Sequence, residues 1–80
     1  MKNEHKQKYA QLSLKISYYR KLRGFTQEQL AERIDKNTAF IGAVESPNIS
    51  RTISIDTLFD LSNALNVPPH KFFLFDDDID

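Results

Sequence analysis

Eighty residues without a cysteine allow one domain built on one hydrophobic core, and exclude disulfide staples, thiolate metal sites and cysteine nucleophiles. The formal net charge is zero, but through Arg23 seven basic residues face one acid, Glu4, whereas from Gly24 onward four basic residues face ten acids. No apolar run approaches the roughly 20 residues that span a bilayer, and Met1 to Gln11 lacks the apolar segment of a secretory signal. A cytoplasmic protein with no membrane partner is expected.

Glycine and proline are scarce and none lies in a strand-like alternating run, so an all-α chain of five helices is expected. Residues 1–9 read as a flexible basic arm, residues 10–75 as the folded domain, and residues 76–80 as an acidic, disordered tail. The first helix is predicted from Ala10 to Arg23, with Leu12, Ile16 and Tyr19 on one face and Gly24 as its stop. Thr26 caps a second helix of about nine residues, Gln29 completing a capping box and Leu30, Ala31 and Ile34 forming the apolar stripe. Asp35 and Lys36 make a tight turn. Asn37 then caps a third helix, which turns Ile41 and Val44 inward until Pro47 forbids continuation. Ser54 caps a fourth, with Ile55, Leu58, Leu61 and Leu65 at spacings of three and four and Asn66 as its stop. Pro68 and Pro69 suit the start of a short fifth helix, from about Pro69 to Phe75.

The run Tyr19-Arg20-Lys21-Leu22-Arg23-Gly24-Phe25-Thr26-Gln27-Glu28-Gln29-Leu30-Ala31 resembles the opening of the Xre/Cro, phage-repressor-like helix-turn-helix family. With Ile41 in the third helix and Glu45 near its end, the resemblance covers roughly Leu12 to Phe75. It implies a five-helix repressor-like domain that binds duplex DNA and regulates transcription, most often as a repressor occupying an operator. In that arrangement the second helix braces the third, which lies in the major groove.

The resemblance also assigns roles to residues. Arg20 and Glu45 become a structural ion pair tying the first helix to the third. Thr26 and Gln27 face a phosphate beside the positive end of the second helix. Thr38, Ala39, Phe40, Gly42 and Ala43, preceded by Asn37, face the base edges. Direct readout favours arginine, asparagine and glutamine, and none occurs from Thr38 to Val44. Methyl and ring contact with thymine from Thr38, Ala39 or Phe40 remains, together with readout of DNA shape. For Phe40, packing in the core or against a protein partner is an equal alternative. Two positions depart from the family pattern: Asp35 stands where a glycine usually ends the second helix, and Ser46-Pro47 where a glycine often follows the third. Lys36, Asn48, Ser50, Arg51 and Thr52 can each hydrogen-bond phosphates, or simply be solvated.

Other features carry less. The arm, with Lys2, His5, Lys6 and Lys8, could follow the DNA backbone. His5 and His70 have no ligand spacing around them, and Asp76, Asp77, Asp78 and Asp80 lack the glycine and glutamate of a calcium loop. No metal, cofactor, small-molecule substrate or catalytic residue is therefore expected, and no enzyme. Phe72, Phe73, Leu74 and Phe75 exceed what one short helix hides, which points to core capping together with self-association, a homodimer through Phe72, Phe73 and Phe75. The rival reading is a protein-interaction module, such as an antitoxin-like partner with weak DNA affinity of its own.

Overall fold

The computed structural model describes residues 1–48 and 52–75. A 3-10 turn, Asn3–His5, runs into helix α1, Lys6–Leu22, followed by α2, Gln27–Arg33, α3, Thr38–Glu45, and α4, Ile55–Leu65. The fifth position is filled by a 3-10 helix, Pro69–Phe73, shorter than the expected Pro69 to Phe75.

The start of α1 differs from expectation. Residues 6–9, read from the sequence as part of a flexible arm, are helical. Lys6, Gln7 and Lys8 are good helix formers with no glycine or proline among them, and Tyr9 packs against the core and so anchors the added turn. Residues 76–80, expected to form the acidic tail, lie outside the described residues.

Each interior boundary has a local cause. Gly24, at φ +78°, takes the left-handed conformation that turns the chain out of α1. Thr26 Oγ1 accepts from the Gln29 amide at 3.0 Å, while Gln29 Oε1 accepts from the Thr26 amide at 2.9 Å. This reciprocal capping box starts α2. The helix closes where the Lys36 amide reaches back to the Ala31 carbonyl, at 2.9 Å, which requires Asp35 at φ 57°. Asp35 therefore holds a left-handed position without being glycine. Asn37 Oδ1 accepts from the Phe40 amide at 2.8 Å and starts α3. That helix ends at Ser46, which is extended at ψ 118° as a residue before proline must be. Ser54 caps α4, and Asn66, at φ 54°, ends it.

The helices enclose Ile16, Leu30, Ile41, Leu61, Leu65 and Phe72, all fully buried. Phe72 corrects an expectation. Expected at a dimer surface with Phe73 and Phe75 as well as in a core cap, it serves only the core, pointing inward and meeting Tyr19 edge-on, with ring centroids 5.6 Å apart. The 3-10 helix can bury only one side, and the core claims Phe72 for it, leaving Phe73 exposed.

Candidate nucleic-acid interface

The helix-turn-helix is held by one buried polar network. Glu45, the last residue of α3, accepts from Arg20 Nε of α1 at 2.6 Å through Oε2, and from Gln27 Nε2 of α2 at 3.1 Å through Oε1. Arg20 Nη1 donates to the Phe25 carbonyl at 2.7 Å, fixing the link between α1 and α2. One carboxylate thus clamps three helices. Among the described residues no buried side-chain nitrogen or oxygen lacks a partner, which is the condition under which such a network rigidifies a core instead of weakening it.

The network sets the attitude of α3 against α2. Ile41, Val44 and Glu45 are buried, so the opposite side, Thr38 and Ala39 with Gly42 and Ala43 half-exposed, faces outward. A methyl group added at Gly42 would lie 3.8 Å from Gln27 Oε1, so the first turn of α2 lies beside the later part of the outward face of α3. At the other end of α3, Lys36 is exposed and its Nζ stands 5.3 Å from the centroid of the Phe40 ring. Phe40 itself is half-buried and packs against the core.

Several expected contact residues therefore hold structural positions too. The Asn37 side-chain oxygen is engaged as a cap. Gln27 is half-buried with its amide turned onto Glu45, although that NH2 group keeps a second proton to donate. Thr26 accepts through its hydroxyl and remains exposed, free to donate outward. Arg51 and Ser50 lie outside the described residues, while Asn48 and Thr52, at the edges of the same loop, are exposed.

Sequence reasoning missed three supports. Arg23 donates from Nε to the Leu65 carbonyl at 2.8 Å and from Nη2 to the Asn66 carbonyl at 3.0 Å, so a cation from the end of α1 satisfies the open carbonyls of α4. Ser62 Oγ donates to the Val67 carbonyl across the same corner. Arg33 stacks over the Phe25 ring, 4.4 Å from its centroid. No short-range signal marks the Arg23 tie, because its partners are more than 40 residues away.

A family model described as helix-turn-helix matches residues 16–72, which is most of the chain. The protein belongs to the Xre/Cro-like, phage-repressor-like helix-turn-helix family. The solved structure of the restriction-modification controller protein C.AhdI from Aeromonas hydrophila superposes with a TM-score of 0.81 at 24% identity, covering 89% of this chain and 100% of that one. A hypothetical transcription factor, NHTF, from Neisseria superposes with a TM-score of 0.78 at 22% identity, covering 89% of this chain and 79% of the other. Likeness at these identities shows a shared all-α fold. No curated protein matches the chain. As a member of this family the helix-turn-helix domain is a DNA-binding transcriptional regulator and not an enzyme. Among the described residues no helix is long and apolar enough to cross a membrane.

Proposed function

We propose that the domain binds a specific duplex DNA site and acts, as a repressor, by occupying it. Helix α3 lies in the major groove, with Thr38, Ala39, Gly42 and Ala43 toward the base edges and Phe40 at the margin. Thr26, Gln27, Lys36, Asn37 and Arg51 are assigned to the sugar-phosphate backbone on either side. The observation that carries this reading is the outward face of α3, presented beside the first turn of α2 and held there by Glu45. Two copies reading two half-sites would pair through the C-terminal end, where Phe73 and Phe75 line an apolar groove of about 260 Å³ with Tyr9, Leu12, Ile53 and Ile55.

The test is selection from pooled random duplexes at two salt concentrations, followed by sequencing of what binds. Recovery of a shared, two-fold symmetric site with salt-sensitive affinity supports a dimeric regulator. Exchange of Phe73 for glutamate should then leave half-site binding and abolish the advantage of the paired site. A second reading, a protein-interaction module, is favoured by the lack of arginine, asparagine or glutamine on the outward face of α3. Folded protein that binds no duplex at low salt would select it.

A further inference from the structure

Helix α1 is apolar on two sides. Leu12 and Ile16 enter the core, but Leu14, Tyr18 and Leu22 form a second stripe at spacings of four on the outer face. These three are 55%, 55% and 58% exposed. A surface helix of a solitary domain carries one apolar stripe, so the outer one calls for a covering surface. Lys15 and Lys21 flank it, and α1 contains no acid at all. A second exposed stripe lies on α4, where Ile55 is 60% and Phe59 48% exposed, and there the flanking charges are Asp56 and Asp60. Among the described residues none of these four charged side chains has an ion-pair partner within the chain.

We propose that the outer stripe of α1 in one copy receives the α4 stripe of a second copy. Charge decides the pairing. Joining α1 to α1 would set Lys15 and Lys21 against themselves, and joining α4 to α4 would do the same with Asp56 and Asp60. Only the crossed arrangement places Lys15 and Lys21 opposite Asp56 and Asp60 while covering both apolar stripes. Each copy offers both an α1 stripe and an α4 stripe, so every copy can both give and receive the contact. It accounts for a feature that DNA binding leaves unexplained, namely a chain of zero net charge divided into a basic front and an acidic rear. Five partly exposed side chains bury well below the roughly 1,200 Å² of a standard interface. The contact is accordingly weak in dilute solution and forms where copies are crowded or held side by side. It uses neither α3 nor Phe73 and Phe75, so it is separate from the DNA site, and it meets the groove assigned to the two-fold dimer only at Ile55.

The experiment mixes the full chain in 14N- and 15N-labelled forms at millimolar concentration and low salt, and couples touching amines and carboxylates with a zero-length carbodiimide. Mass spectrometry should find mixed-label peptides joining Lys15 or Lys21 to Asp56 or Asp60. Lys15→Glu with Lys21→Glu should lower sedimentation-detected self-association at least five-fold, and Asp56→Lys with Asp60→Lys should do likewise. An equimolar mixture of the two folded variants should recover it, because each then supplies the charge that the other's partner stripe lacks. Absence of these mixed-label peptides, association indifferent to both reversals, or a mixture no better than either variant alone would overturn the proposal.

Discussion

The two ends of α3 contrast sharply. Its last residue, Glu45, is buried, charged and paired on both oxygens, whereas its first turn, Thr38 and Ala39, is exposed and offers only a hydroxyl and methyl groups. Strong polar interactions are thus concentrated inside the motif, where they fix how α3 is held, and few remain on the face turned outward. The contrast is a division of labour, in which orientation comes from a buried network and the proposed reading leaves sequence preference to shape and methyl contact.

Breaking the buried end gives the largest effect. Arg20→Ala strands a carboxylate in the core and should cost about 3–5 kcal/mol, enough to unfold much of so small a domain. Replacing both partners, with Arg20→Met and Glu45→Leu, should recover part of that loss, because no charge is then left unpaired although the Phe25 carbonyl and the Gln27 amide lose their partners. Urea denaturation followed by circular dichroism separates the two cases. If the single and double variants lose equal stability, the stranded carboxylate is not the source of the cost, and the lost network contacts themselves are.

Next in size is the tie between the two halves. Arg23→Ala removes both hydrogen bonds to the end of α4 and should cost about 1–2 kcal/mol, with Arg23→Lys restoring part of it through charge alone. Hydrogen exchange would localise the loss, since amides of α4 should lose protection before those of α2 and α3. Asp35→Gly tests the other special corner. Asp35 sits at φ 57°, so glycine there should raise stability by up to about 1 kcal/mol in thermal melts. The gain at Asn66 should be smaller, because asparagine tolerates that conformation better.

What could be read in advance was what is local. Gly24, Thr26 with Gln29, Asn37 and Ser54 each act on neighbours within a few residues, and each marks a helix boundary now seen in the fold. The stripe of Leu58, Leu61 and Leu65 likewise shows directly as periodicity, but Ile55, read as its first member, lies exposed. The early start of α1 was not legible, because Tyr9 gains its anchor only from tertiary packing. Nor was the inward turn of Phe72, since four consecutive apolar residues do not say which one the core will take. At the candidate site, the bond from Gln27 to Glu45 spans 18 positions and depends on how α2 crosses α3. The residue types were visible, whereas their division between support and contact was a matter of packing.

The smallest effect sharpens the contrast most, because it separates stability from contact at one position. Glycine inside a helix costs roughly 0.5–1 kcal/mol relative to alanine, and Gly42 stands mid-helix in α3 without a positive φ to justify it. Among the described residues an added methyl group meets only Gln27 Oε1, at an ordinary 3.8 Å. Gly42→Ala should therefore raise the melting temperature by a few degrees. If α3 approaches the bases as closely as proposed, the same variant should bind the selected duplex at least ten-fold more weakly, a loss of about 1.4 kcal/mol. A variant both more stable and unchanged in DNA affinity would mean that the groove meets α3 nearer Thr38 and Ala39. Specificity would then rest on the first turn alone, the end of the helix that the Glu45 network does not touch.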